Sequence, residues 1–473
     1  MKQPTVFEIN TQIFINEVAA RTGAPANLSN VPDEIWDEVA QHGQDTVWFM
    51  GVWKRSAVAR DMARHEGWLR ESFNGVGDAD IVGSAYSIQD YIVDESLGGN
   101  EGLAIARAKL KERGINLILD YVPNHVAIDH PWAREHPEYL VGGTSEELHA
   151  YPDNFIETPG GIIARGKDPN FAPWSDVLQI NAFSEPLRRA VTDLLKDIAS
   201  MCDGVRCDMA MLLMNDIFHK TWGKRVGEVP SKEYWPAIVN EVKAQYPDFI
   251  FLAEVYWGKE QALIEQGFDF CYDKDLYDEL INGSVHTIKK CLAKPLEVQQ
   301  HFMRFIENHD EDRAARVFSF EKHQAAAVIA ATLPGMRLFH DGQFEGRQEK
   351  LPVHLGRRQF EVTNEIIQSF YDGLHSFIKT IDFEKDSWQL LEAQAGLLRQ
   401  ESKHIIAWAW SREDEKKIIA VNYSAVAASA KLPILNDNKR ARSFDIYGNA
   451  GEMVDGATIM LLPWQVVIVN LQN

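Results

Sequence analysis

The stretch "NEGLAIARAKLKERGINLILDYVPNH", residues 100–125, contains a helix, its stop signal, a strand and a polar strand end in direct succession. Amphipathic spacing predicts a helix over "NEGLAIARAKLKERG", and Gly114 closes it, because glycine readily takes the left-handed conformation found at many helix C-termini. "INLILDYV" (115–122) then reads as a strand with almost continuous apolarity, the signature of a strand covered on both faces. The order recurs: "SEPLRRAVTDLLKDIAS" precedes "DGVRCDMA" (203–210), and "KEYWPAIVNEVKAQYP" precedes "DFIFLAEVY" (248–256). Further strands are predicted at "TVFEI" (5–9), "DTVWFM" (45–50), "FDFCYD" (268–273), "HFMRFIEN" (301–308) and "GMRLFHD" (335–341). Strands alternating with helices imply parallel pairing with the helices outside. Eight such units predict an α/β fold, a (β/α)8 TIM barrel over residues 1–383, with its chemistry at the C-terminal ends of the strands.

Two segments depart from the repeat. Residues about 127–180, after strand 3, are rich in Pro, Gly, Trp and His and lack periodicity, so a short irregular insertion is predicted there; long loops in compact domains are usually functional. From 384 to 473 the pattern changes to period-two runs such as "HIIAWAWSR", "KKIIAVNYS" and "ATIMLLPWQVVIVNL", which predict a C-terminal antiparallel β-sandwich domain.

Composition narrows the partners. Lys and Arg number 48 against 69 Asp and Glu, and the net charge of -21 opposes binding to nucleic acid or anionic membrane surfaces. The N-terminus has no unbroken apolar core, since Glu8 interrupts it, and "AAAVIAATLPGMRLF" is too short to span a bilayer, so a mature protein with no membrane association is expected. Cys202, Cys207, Cys271 and Cys291 have no CxxC spacing, which suits free buried thiols and a cytoplasmic location. Oligomeric state is not legible.

Polar residues collect at the predicted strand ends: Asp120, Asn124 and His125 after strand 3, Arg206 and Asp208 on strand 4, Glu254 on strand 5, and Asn308, His309 and Asp310 after strand 7. Buried charges without partners cost several kcal/mol, so these residues require a common purpose. Period two puts Arg206 and Asp208 on one side of their strand, where the guanidinium would keep the acid ionised. Glu254, followed by Val255, Tyr256 and Trp257, is expected in an apolar setting that favours its protonated form. One ionised and one protonated carboxyl suit glycosidic cleavage. A divalent metal site is the competing use of such residues, but no HExxH or other metal spacing is present.

"DYVPNH", "GVRCD", "LAEV" and "ENHD", in that order, resemble the four signature regions of the α-amylase family, glycoside hydrolase family 13, and the resemblance extends over the barrel, the insertion after strand 3 and the C-terminal β module. It implies that Asp208 is the nucleophile, Glu254 the general acid/base and Asp310 the carboxylate that binds sugar hydroxyls and stabilises the transition state. It further implies that His125, Arg206 and His309 line the sugar subsite, that Asp120 supports them, and that Tyr86 in "GSAYSIQDY" is an aromatic platform for the sugar ring. The other readings are loop capping for Asp120 and Asn124 and core packing for the two histidines and Tyr86; Glu311, Asp312 and Arg313, after the strand 7 motif, are expected in a solvated loop. Trp53, Trp132, Trp174 and Trp257 are candidates for sugar stacking or for core.

Where many members carry a Lys-His pair after the strand 4 motif, this chain has "MAML" (209–212), which argues against a long open cleft for starch. The short insertion lacks the acidic cluster of the family's common calcium site, so no cofactor is required by this reading. Arg347, Arg357 and Arg358 form a cationic cluster that would accept phosphate or an anionic aglycone, or pair with Glu345, Glu349 and Glu361. The expected function is a retaining hydrolase of α-glucan or short α-glucosides, with a carbohydrate as its partner. The alternatives are a glycosyl transferase or phosphorylase using the same covalent intermediate and, more remotely, a non-catalytic amylase-like ancillary protein; retention of all three acids argues against the last.

Overall fold

A computed structural model describes residues 3–41, 43–395, 402–413, 415–432, 441–454 and 458–472. The expected barrel is present. Its strands are β1 (Thr5–Asn10), β2 (Thr46–Met50), β3 (Asn116–Tyr121), β4 (Gly204–Cys207), β5 (Ile250–Ala253), β6 (Phe270–Tyr272), β7 (Phe302–Arg304) and β8 (Met336–His340), closed in sequence order with β1 paired to β8. All eight pairings are parallel.

The alternation of side chains along each strand explains why the sequence runs are apolar throughout. Val6, Trp48, Ile118, Leu252, Phe270, Met303 and Met336 point inward and pack together in the barrel, whereas Phe7, Val47, Leu119, Val205, Phe251 and Cys271 point outward into the layer of helices. Each fully buried aliphatic or aromatic side chain contributes roughly 1.5–3 kcal/mol. The helix after β1 (Thr11–Thr22) starts at Asn10, whose side chain accepts from the Ile13 N–H, and stops at Gly23 with φ +68°. The predicted helix before β3 runs over Gly99–Glu112, and Gly114 has φ +73° as its sequence position requires.

The insertion after β3 is more ordered than its sequence suggests. His125–Ala127 pairs with Val177–Gln179, Phe155–Thr158 forms a hairpin with Gly161–Ala164, and Ser145–Ala150 is a helix with a capping box at Thr144. Strands of three or four residues are too short to give a periodic signal. A second excursion, between β2 and β3, pairs Trp53–Arg55 with Ile88–Val93 and carries Tyr86.

Beyond the last barrel helix (Glu365–Ile378) the described strands form a six-stranded and a three-stranded antiparallel sheet. Ile405, Ala407 and Ala409 of Ile405–Arg412 face the smaller sheet, while Ile406, Trp408 and Trp410 face the barrel, where the Trp410 indole N–H donates to the Thr332 carbonyl at 2.8 Å. Both faces of this strand are therefore buried. Cys202, Cys207, Cys271 and Cys291 are free thiols. Among the described residues no helix is long and apolar enough to cross a membrane.

Candidate functional site

The parity that packs the barrel also builds the site. Two positions beyond the inward residues Val6, Ile118, Leu252 and Phe270 stand Glu8, Asp120, Glu254 and Tyr272, which form the next inward layer at the C-terminal ends of the strands. Arg206 on β4 and Asp208 directly after its end share that parity. The apolar layers beneath exclude water, so the charges above them have to satisfy one another.

Arg206 is the centre of the arrangement and is fully buried. Its Nη1 donates to Asp208 Oδ1 at 2.6 Å, its Nη2 to Glu254 Oε2 at 2.8 Å, and its Nε to the Tyr272 hydroxyl at 3.2 Å. Asp310 Oδ2 lies 3.8 Å from Nη2. The rings of Tyr86, Trp48 and Tyr272 lie 5.2, 5.4 and 5.7 Å from the guanidinium carbon. Three carboxylates from the ends of β4, β5 and β7 thus converge on one cation, which brings together the residues singled out in the sequence.

Glu254 differs from its expected setting. It is not alone in an apolar pocket: besides Arg206, the Met209 N–H donates to Oε2 at 2.7 Å and the Tyr256 hydroxyl to Oε1 at 2.6 Å. Burial nevertheless pushes its carboxyl up to about 7, because the single guanidinium is opposed by the charges of Asp208 and Asp310. Burial also raises Asp208, and Arg206 pulls against it. Met209, directly after Asp208, has φ +43°, a left-handed backbone that a side-chain-bearing residue adopts only at a cost, and this turn aims its N–H at Glu254.

His309 forms the second charged cluster. Its Nδ1 lies 2.5 Å from Glu8 Oε1, and its Nε2 lies 2.9 Å from Asp310 Oδ2 and 2.7 Å from the Tyr86 hydroxyl. Burial works against the imidazolium, but Asp310 and Glu8 overcome it and raise His309 to about 10. Burial would likewise raise Asp310, yet the His309 imidazolium holds it well below the usual carboxylate range. Asp310 is also the most open of the three acids, with 44% of its side chain exposed. Tyr86 stacks on His309 with ring centres 5.4 Å apart.

Asp120 is fully buried and accepts from the Gly51 N–H at 2.8 Å and the Trp48 indole at 3.2 Å; burial raises it to about 6. His125 sits against the Tyr86 backbone and the Trp174 ring, and burial lowers it to about 4, so it is neutral. Asn124 is held by the Gln179 amide at 3.0 Å. Asp168 caps the Asn170 and Phe171 N–H groups, and among the described residues no group of three or more His, Cys, Asp or Glu could hold a metal ion.

Several expectations need correction. Arg313 is not solvated: it is buried, donates to Glu307 Oε1 at 2.7 Å and contacts His340 Nδ1 at 2.8 Å. The cluster after β8 pairs with other acids than the near neighbours in sequence, Arg357 with Asp80, and Arg358 with Glu17 and Asp341. Trp53 is core, with its indole on the Asp120 carbonyl, Trp132 and Trp174 are half-buried, and Trp257 is exposed with φ +63°. Glu8, Trp48, Tyr256 and Tyr272 were not among the sequence candidates. Glu8 alone carried a signal, a carboxylate inside the apolar run "TVFEI".

The alpha-amylase catalytic-domain family model matches residues 41–375, the span that contains all of these strand ends except Glu8. Alpha-amylase MalA of Haloarcula japonica is 25% identical over 388 residues, covering 78% of this chain and 52% of the relative, so the chain spans about half the length of that protein. Alpha-amylase 3 of Dictyoglomus thermophilum is 21% identical over 435 residues, covering 82% of each. The crystal structure of the noncanonic maltogenic alpha-amylase AmyB from Thermotoga neapolitana superposes with a TM-score of 0.72 at 18% identity, covering 99% of both chains. With the barrel, the four strand-end motifs and a family match over more than half its length, this chain belongs to the alpha-amylase catalytic-domain family.

Proposed function

We propose that the chain is a retaining α-glycoside hydrolase that acts on α-glucan or short α-glucosides by double displacement. The observation that carries this reading is the single guanidinium of Arg206 between Asp208 and Glu254. One positive charge facing two buried acids favours one ionised and one protonated carboxyl, and the acid with its carboxyl raised to about 7 is Glu254. Bonding to two nitrogens of one guanidinium also keeps the pair close, in keeping with the about 5–5.5 Å between carboxyls of retaining enzymes.

In the first step an oxygen of Asp208 bonds to the anomeric carbon while the glycosidic C–O bond breaks and Glu254 gives its proton to the leaving oxygen. Ionised Glu254 then takes a proton from water, whose oxygen bonds to the anomeric carbon and releases Asp208. Asp310, kept ionised by His309, accepts hydrogen bonds from sugar hydroxyls and favours the positive charge that develops on the ring. Tyr86 offers the ring face, Asp120 holds the floor, and neutral His125 supplies a hydrogen bond. Free thiols suit work in a reducing, cytoplasmic compartment.

Proton NMR of maltotriose digestion tests the proposal. The α-anomer should form first; a β-anomer formed first would refute double displacement. A second reading is transfer of the glycosyl group to a sugar or to phosphate through the same covalent intermediate. Products longer than the substrate, or a sugar phosphate formed only with added phosphate, would establish it.

A further inference from the structure

A second cavity, of about 250 Å3, lies between the insertion after β3 and the segment that follows β4, and Glu147, Tyr151, Asn154, Lys167, Trp222 and Arg225 line it. Its charges do not balance. Arg225 is committed to Glu147, with Nη1 at 2.9 Å and Nη2 also bonded, and donates to the Gly142 carbonyl at 3.0 Å. The Lys167 ammonium lies 4.9 Å from the centre of the Trp222 ring and, among the described residues, has no hydrogen bond or ion pair. Burial lowers the Lys167 ammonium, and the Arg225 charge lowers it further. In a chain with a net charge of -21, a partly enclosed cation with no counter-ion among the described residues stands out as a place for an anion.

The rest of the lining points to a sugar. Trp222 is half-buried and Tyr151 is exposed, so both offer ring faces, and the Asn154 amide can both donate and accept. The cavity also adjoins the candidate site. Gly166, next to Lys167, packs so closely on His125 that a Cβ there would lie 3.0 Å from the histidine Cβ, and Pro173 of the lining precedes Trp174, whose ring lies 5.1 Å from that of His125.

We propose that this cavity binds a phosphate group, carried by a sugar or present as inorganic phosphate, with Lys167 as its cation and Trp222 and Tyr151 as surfaces for the sugar ring. Its use as a substrate subsite rests on the glycosidase reading above; the binding itself does not.

The test is calorimetric titration of the full chain with inorganic phosphate, glucose 6-phosphate and glucose, none of which requires turnover. At least one phosphate ligand should bind, glucose should bind more weakly, and Lys167→Met should weaken the phosphate ligand at least tenfold while Lys167→Arg retains it. Tighter binding of glucose 6-phosphate than of phosphate, reduced by Trp222→Ala, assigns the site to a phosphate ester; binding of phosphate alone assigns it to the free anion. Absence of binding by both phosphate ligands, or equal affinity in wild type and a folded Lys167→Met variant, overturns the proposal. Failure here leaves the NMR test of the glycosidase untouched, and failure of that test leaves this one interpretable.

Discussion

The carboxylate of Glu8, on the first barrel strand, lies 2.5 Å from Nδ1 of His309, which follows the seventh strand 301 positions later. Both side chains are buried, and the contact makes His309 a double donor, to Glu8 on one side and toward Asp310 on the other. A carboxylate buried inside the barrel thereby helps to keep Asp310 charged through the histidine between them.

Removing the charge of Glu8 should therefore be felt at His309. In Glu8→Gln the imidazolium loses one of its two anions, so its pKa should fall below about 10, read by NMR titration of the imidazole, and kcat should drop about 100-fold. The sign for stability follows. A histidine raised from 6.5 to about 10 contributes in full below 6.5 and loses its contribution as pH rises through about 10, so the variant should lose stability at lower alkaline pH than wild type.

Asp208→Ala and Glu254→Gln should each lower kcat by about 10^3-fold or more, with circular dichroism unchanged. Substantial residual turnover in either variant would remove that residue from the chemistry.

The pH profile should report Glu254. Its protonated form is needed for the first step, so kcat/KM should fall as pH rises through about 7. The hydrogen bond from Tyr256 favours the ionised form, so Tyr256→Phe should move this alkaline limb to higher pH. A limb that does not move would show that Tyr256 has no part in setting the proton affinity.

Arg313→Ala should destabilise the fold by about 3–5 kcal/mol, because it leaves buried Glu307 without its ion-pair partner. A shift in the urea midpoint measures this, and a change within about 0.5 kcal/mol, the range of an ordinary surface substitution, would restore the solvated reading.

The candidate residues differ in how visible they were beforehand. Arg206, Asp208, Glu254 and Asp310 interrupt or end apolar runs, and a charge in such a place signals itself. Glu8 gave the same signal but stood in the chain's first strand, where it read only as a break in apolarity. Trp48 and Tyr272 carried no signal, since an aromatic residue in a buried strand is ordinary core until a cation is found against its ring. Arg313 misled because it follows Glu311 and Asp312, while its partners Glu307 and His340 flank it from one turn of chain upstream and from another strand.

The sequence by itself determined the alternation of strands and helices, the inward parity of Arg206 and Asp208, and the strand ends at which charge collects. These follow from local covalent geometry, in which side chains alternate every second residue. Only the tertiary structure decided that Asp208 and Glu254 share one guanidinium, that Glu8 answers His309, and that Lys167, which makes no ion pair among the described residues, faces a cavity. Those relations depend on barrel closure, which sets the distance between groups tens to hundreds of positions apart, and on burial, which sets how strongly each holds its proton.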